Sequence, residues 1–455
     1  MPELASALPG IALPVLATGC LYALVWRATR GLDEPARVLA RAVPIAVIVP
    51  GVLWVSAVLS IHLQKAEAGP AAVARDLVTP PPGTRSVSRA PQPAGPATKA
   101  GDVAAAPGAS AASSPDWDIV PVFYGTDRVR TDEGGRIGYR AERARRLELG
   151  RALVTVPAAH RVPAIERPFA LRIPYFQLVL YEQGEDPKKH FTIKALEVLS
   201  RSDLLTLVRA RIAATRAFRD QALVFIHGFN TGFDHAIYRT AQLAYDLQFD
   251  GAAFLYSWPA GGGVIGYAGD RESATQAEPY LKEFLELVVR ETGARGVSVI
   301  AHSMGNLPLL NVLRDLGPSL PPGVRLNELI LAAPDVDRDV FANLVSAIRP
   351  YGRGITLYCS ANDRAMVAAR RVAGGVPRAG DVPPDGPVIM PGVDTIDVTE
   401  TSTDLLALNH SLYAEKGALL NDIGLLLQTG ERPPDGRIPI LQRVSTQRGD
   451  FWRYP

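Results

Sequence analysis

Two apolar runs open the chain. Leu4–Trp26 carries no charge between Glu3 and Arg27, and Ala42–Ile61 carries none at all. Each offers the roughly 20 residues that a helix needs to cross a bilayer. The pattern predicts two transmembrane helices, at about 4–26 and 42–63. From 66 to 115 the composition turns to Ala, Pro, Gly and Ser without sustained periodicity. Such a segment cannot bury enough surface to offset the entropy of ordering it. It reads as a flexible Ala/Pro-rich linker.

A different pattern starts near Asp116. Asp118–Tyr124, Ala152–Val156 and Phe191–Ser200 read as strands, the first two joined by a charged, Arg-rich connection. Further strands are expected at Ala222–Ile226, Ala252–Ser257, Val297–Ile300, Leu326–Ala332, Ile355–Cys359 and Val393–Val398. Helical periodicity lies between them at His235–Leu247, Glu278–Thr292, Met304–Leu316 and Val340–Ala347, and a last helix is expected at Leu412–Leu427. Strands that are apolar throughout and alternate with helices predict an α/β fold, a mostly parallel central sheet with helices on both faces. The domain limits that follow are a membrane anchor over 1–65, a linker over 66–115, the α/β domain over 116–428 and a basic, aromatic tail over 429–455. The tail, ending F-W-R-Y-P, reads as an arm packed on the domain, with a membrane-surface contact as the alternative.

Composition narrows the picture. A net charge of +2 over 455 residues gives no electrostatic reason to expect a nucleic-acid partner. Cys20 lies in an apolar N-terminal segment and Cys359 in a predicted buried strand, which argues against a structural disulfide. No C-x-x-C or H-E-x-x-H is present, so neither a metal nor another cofactor is expected. The first ten residues hold no Lys or Arg, unlike a secretory signal peptide. A lipoprotein site at L-A-T-G-C, ending at Cys20, lacks both those charges and the usual leucine three positions earlier. Arg27, Arg30, Arg37 and Arg41 lie between the two spans and none precedes the first. The positive-inside tendency then places that loop in the cytoplasm. The result is a multi-pass inner-membrane protein whose large domain lies in the periplasm of a Gram-negative cell.

Candidate chemistry centres on G-V-S-V-I-A-H-S-M-G-N, residues 296–306. An apolar β-branched run reaches Ser303, and a helical pattern begins at Met304. This is the strand–turn–helix context of a nucleophile elbow. The residues two before and two after the serine must be small, and Ala301 and Gly305 are. A serine hydroxyl needs a base to take its proton, and the base needs an orienting carboxylate. The only histidine downstream is His410, in the loop before the last helix. Asp363 follows the strand after next, and Asp335 and Asp337 at the end of the preceding strand are the rivals. Either rival would otherwise cap the helix near Val340. The oxyanion donors expected are the backbone N–H groups of Met304 and of Phe229, which follows the His227-Gly228 pair. Pocket candidates are His227, Gly228 and Trp258, though His227 reads equally as a loop support and Trp258 as core. His302 reads as a packing residue, and Gly261–Glu278 as a segment able to cover the cleft.

Six motifs occur in order: V-P-V-F-Y-G-T-D-R (120–128), F-I-H-G-F-N (225–230), Y-S-W-P (256–259), I-A-H-S-M-G-N (300–306), L-A-A-P-D-V-D (331–337) and N-H-S-L-Y (409–413). Together they resemble a bacterial α/β-hydrolase family of unknown function, esterase/lipase-like serine hydrolases, over about Asp116 to Leu427. The resemblance implies the alpha/beta-hydrolase fold and a triad of Ser303, Asp363 and His410. The expected activity is cleavage of a small-molecule or lipid ester through an acyl-serine. The alternatives are thioester, amide or acyl-transfer chemistry with the same triad, and a catalytically silent membrane-anchored interaction domain.

Overall fold

In chain order the elements are β1 (Trp117–Glu133), β2 (Arg136–Pro157), β3 (Ala170–Ile173), β4 (Leu178–Glu182), β5 (Thr192–Val198) and α1 (Arg201–Ala213). They continue with β6 (Gln221–Ile226), α2 (Phe233–Asp246), β7 (Ala252–Ser257), α3 (Tyr267–Gln276), α4 (Glu278–Glu291) and β8 (Gly296–His302). Then come α5 (Asn306–Leu316), β9 (Arg325–Ala332), α6 (Arg338–Ile348), β10 (Gly352–Cys359), β11 (Asp394–Asp397), α7 (Tyr413–Thr429), β12 (Gln442–Thr446) and β13 (Gly449–Arg453). The structure, a computed structural model, describes residues 116–173, 178–261, 266–320, 325–362, 376–401 and 413–455. Contacts divide the chain into Met1–Gly108 and Ala109–Pro455, and every described residue lies in the second unit. Both expected membrane spans and the linker fall outside the described residues. Among the described residues no helix is long and apolar enough to cross a membrane.

Eleven strands form one sheet in the order β12-β13-β11-β10-β9-β8-β6-β7-β1-β2-β5. From β13 to β1 every neighbouring pair is parallel; β2, β5 and β12 are antiparallel fringes. The central strands β7 and β8 are buried at every position, because helices cover both faces. Their unbroken apolar runs follow from that burial. Chain order reverses at the middle of the sheet. From β6 the chain moves to one side with β7, then crosses to the other with β8 and continues through β9 and β10. In open α/β sheets such a switch point leaves a crevice at the carboxyl ends of the strands. That rule directs attention to the place where β6 and β8 end, at Ile226 and His302.

Three regions differ from the sequence expectation. The Arg-rich connection after Tyr124 is not a loop: β1 and β2 run on as a long antiparallel hairpin, paired from Trp117↔Pro157 to Glu133↔Arg136. Its outer half runs on past the sheet, where few side chains besides Tyr139 and Leu147 meet the core, and the sequence there stays charged. Helix α1 escaped the periodicity reading because it buries only Leu204, Leu205, Val208 and Ile212. Ser200 caps it by accepting the Asp203 N–H at 3.2 Å.

The third difference is the tail. Its β12–β13 hairpin extends the sheet, with Ile396 of β11 paired to Trp452. Phe451, Trp452 and Tyr454 are buried, which leaves those aromatics unavailable to a membrane surface. Charge holds this end together. Arg432 bridges Glu328 and Asp394. Arg437 donates to Asp422 Oδ1 at 2.6 Å, while Asp422 Oδ2 takes the Tyr358 hydroxyl at 2.7 Å.

Candidate active site

Ser303 follows β8 directly, in a short 3₁₀ turn (Ser303–Gly305) that leads into α5. Its φ is +50°, in the left-handed region. For a residue with a Cβ that conformation costs on the order of 1–2 kcal/mol. The surroundings hold it there. Asn306 Nδ2 donates to the Ser303 carbonyl at 2.9 Å and to the Ala301 carbonyl at 3.2 Å, and the Asp335 N–H reaches the Ser303 carbonyl at 3.1 Å. The small-residue requirement has a visible cause. A Cβ on Gly305 would lie 2.4 Å from the His227 carbonyl oxygen, and one on Gly228 would lie 2.9 Å from the Ser303 Cβ. The turn and the loop after β6 therefore lie in contact, and only glycines allow it.

That loop carries the expected oxyanion donor. Thr231 Oγ1 donates to the Phe229 carbonyl at 3.2 Å, and the Asn230 N–H donates to Asp270 Oδ2 at 3.1 Å. Among the described residues the Phe229 N–H has no acceptor, which leaves it for a ligand. Met304, the other donor, is fully buried in the turn.

His227 does not face the nucleophile. It stacks on Trp258 with ring centroids 5.1 Å apart, and Trp258 Nε1 donates to the His227 carbonyl at 2.9 Å. Trp258 is fully buried, so of its two readings the structure shows the core one. Burial, with Arg128 nearby, pushes the His227 pKa down to about 3, so its ring is neutral. His302 is buried too, and burial lowers its pKa to about 4.

The two rival carboxylates have other duties. Asp337 is the N-cap of α6, accepting the Asp339 and Val340 N–H groups at 2.9 and 3.1 Å. Asp335 accepts the Tyr267 hydroxyl at 2.7 Å on Oδ2, and its Oδ1 lies 3.2 Å from Arg378 Nε in an ion pair. Burial raises its pKa, while Tyr267 and Arg378 pull the other way. Asp363 and His410 lie outside the described residues. The described chain leaves β10 at Cys359 and runs to Asn362, immediately before Asp363; His410 falls between β11 and α7.

Of the segment Gly261–Glu278, the described part is mostly helix. α3 packs against the Ser303 turn, and the Tyr267 ring meets Phe229 edge-on at 5.6 Å. Asp270, also on α3, ties Asn230 N–H to Gly261 N–H. Sequence reasoning missed Tyr267, Asp270 and Arg128 as supports of the site. Arg128 had a signal, a charged pair closing the apolar run V-P-V-F-Y-G-T-D-R. Among the described residues no cluster of His, Cys, Asp and Glu is arranged to hold a metal ion.

A family comparison agrees with this architecture. Residues 207–428 match the model of a family described as alpha/beta hydrolase of unknown function (DUF900). No curated protein matches the chain significantly. Among solved structures it is similar to the "putative cell surface hydrolase" of Lactobacillus plantarum WCFS1, at 12% identity and a TM-score of 0.31, over 50% of this chain and 97% of that one. It is also similar to the Francisella virulence factor BioJ, at 12% identity and a TM-score of 0.26, over 50% of this chain and 90% of that one. Likenesses this distant say nothing about substrate. The match over residues 207–428 and the mostly parallel sheet agree on an alpha/beta-hydrolase fold.

Proposed function

We propose that the chain is a membrane-anchored serine hydrolase that cleaves carboxylic esters through an acyl-Ser303 intermediate. The observation that carries this reading is the strained Ser303 turn at the switch point, with the Phe229 N–H on the adjoining loop without an acceptor among the described residues. Ser303 Oγ attacks the ester carbonyl as His410 takes its proton. His410 then protonates the leaving alkoxide, and later activates the water that releases the acid. Asp363 orients His410 and stabilises its cationic form. The N–H groups of Phe229 and Met304 stabilise the tetrahedral oxyanion. Chain order supports both undescribed assignments: Asp363 follows the second strand after the elbow strand, and His410 precedes the last helix.

The two N-terminal spans would anchor the enzyme in the inner membrane, with the hydrolase domain in the periplasm. The linker of about 50 residues has a coil dimension on the order of 35–45 Å, short enough to favour esters of the same membrane or of nearby envelope. The test is turnover of a p-nitrophenyl ester series by wild type, Ser303→Ala and His410→Ala. Wild-type activity should rise through roughly pH 6 to 7.5 as His410 loses its proton. Full turnover by Ser303→Ala would sink the reading.

A further inference from the structure

The Phe229 N–H belongs to the Gly228–Phe229 peptide, and the other end of that peptide is held from behind. The Gly228 carbonyl oxygen lies 2.9 Å from His227 Nδ1. His227 Nε2 lies 3.3 Å from Arg128 Nη2 and 3.1 Å from Ser257 Oγ. A guanidinium has donors and no acceptor, so Nε2 must accept, and the ring proton must sit on Nδ1. That proton is then donated to the Gly228 carbonyl. The two bonds form one chain with a single direction, Arg128 N–H to His227 Nε2 and His227 Nδ1–H to Gly228 C=O, and it ends at the Phe229 N–H on the far side of that peptide.

Arg128 is placed for this by the long hairpin. β1 pairs with β7 as far as Thr126↔Ser257, and Arg128 lies two residues beyond. Its side chain is 2% exposed and reaches across the ends of β6 and β7. Nε donates to Ser257 Oγ at 2.9 Å, Nη1 to the Ala260 carbonyl at 2.9 Å, and Nη2 to the Thr231 carbonyl at 2.7 Å. Among the described residues no carboxylate lies within ion-pair distance of these nitrogens. The buried charge is therefore spread over two carbonyls, a hydroxyl and the His227 ring. Thr231 closes the oxyanion loop, so one guanidinium touches both the end of that loop and the imidazole behind its start.

We propose that Arg128 is a positioning residue for the oxyanion hole, acting through His227 to aim and polarise the Gly228–Phe229 peptide. This rests on the ester-hydrolase reading above. The physical warrant has two parts. A hydrogen bond to a peptide carbonyl fixes the plane of that peptide, and with it the direction of the N–H on its far side. It also strengthens that N–H as a donor, because chained hydrogen bonds polarise one another where the dielectric is low. The benefit appears only as negative charge develops on the substrate oxygen, so it belongs to the transition state rather than to substrate binding. Arg128 lies outside the segment 207–428 that matches the family model, so this support is supplied by the N-terminal hairpin.

The test compares Arg128→Lys, His227→Phe and the double variant in the full chain. His227→Phe keeps a ring against Trp258 and removes both nitrogens; Arg128→Lys keeps the charge and loses the fork. Each is assayed on p-nitrophenyl butyrate, with rates expressed per serine titrated by a fluorophosphonate, so that misfolded protein lowers the site count and not the rate. Affinity for a trifluoromethyl ketone, whose hemiketal places an oxyanion in the hole, is measured alongside. The expected result is a fall in kcat on the order of 10–100-fold with KM within about twofold, since loss of a whole oxyanion donor costs 10²–10³. The ketone inhibition constant should rise by the same factor, and the double variant should be no worse than His227→Phe alone. A purely structural role would lower the titrated site count and leave these per-site values unchanged, and that result overturns the proposal. Should His227→Phe yield no titratable serine, Arg128→Lys alone decides by the same criteria. Wild type that neither labels nor turns over would instead defeat the ester-hydrolase reading.

Discussion

Gly305→Ala adds a single methyl group and tests the geometry of the elbow. The new Cβ would sit 2.4 Å from the His227 carbonyl oxygen and 3.0 Å from Ile226 Cγ2. An ordinary contact needs about 1 Å more, and the obstacle is backbone just past the buried end of β6, not the tip of a flexible side chain. The turn and the oxyanion loop must therefore move apart. Overpacking of this kind costs about 1–3 kcal/mol. At roughly 1.5 °C per kcal/mol for a domain of more than 300 residues, that is a fall in Tm of about 2–5 °C. The kinetic cost should exceed the thermal one in consequence, because a displacement near 1 Å between nucleophile and oxyanion donors lowers turnover by about 10²-fold. The assay pairs a melting curve with the second-order rate of fluorophosphonate labelling, which reports the elbow without requiring the natural substrate. Wild-type labelling and an unchanged Tm would refute the claim that contact between the Ser303 turn and the His227 loop sets the site.

Other perturbations test the rest of the account. His160 sits between Glu166 (2.9 Å) and Asp246 (2.8 Å) with its ring almost fully buried; burial works to lower its pKa, but the two carboxylates prevail and raise it to about 9. A raised folded-state value means stability present below the unfolded pKa near 6.5 and lost as pH rises through about 9, at most about 3 kcal/mol; urea unfolding of wild type and His160→Phe should converge between pH 7 and pH 9.5, and a constant gap would contradict this. Arg437→Met leaves Asp422 buried with the Tyr358 hydroxyl as its remaining partner in this cluster, and should cost about 3–5 kcal/mol, read from the urea midpoint. Asp337→Ala should remove about 1 kcal/mol of helix capping and leave kcat within twofold, whereas Asp363→Asn should lower kcat by orders of magnitude; the reverse pattern would move the acid to the earlier strand.

The parts of the molecule legible in the sequence are those whose determinants are local. β6, β7, β8 and β10 are short runs between turn residues, and burial on both faces makes their central positions largely apolar. The elbow was readable because the demand for small residues at 301 and 305 is met within a few positions. The hairpin arms were not, since strands that run on beyond the sheet bury only isolated side chains such as Tyr139, too few to impose alternation on Arg130–Arg146. The C-terminal hairpin was read as a packed arm and not as strands because its partner, β11, lies far back in the chain. The support behind the oxyanion loop was illegible for the same reason. Arg128, His227 and Ser257 meet only because β1 passes the carboxyl ends of β6 and β7, and no spacing in the sequence announces such a contact. Chain order favours Asp363 over Asp335 and Asp337 in the sequence, and the structure gives Asp337 a capping role and engages Asp335 with Tyr267 and Arg378.

The measurement that bears most directly on the central claim is peptide mapping of the covalent adduct formed with a fluorophosphonate. The account predicts stoichiometric modification of one peptide, with the mass increment on Ser303, and none in Ser303→Ala. Absence of any adduct in wild type, or its location on another residue, would contradict the assignment of Ser303 as nucleophile.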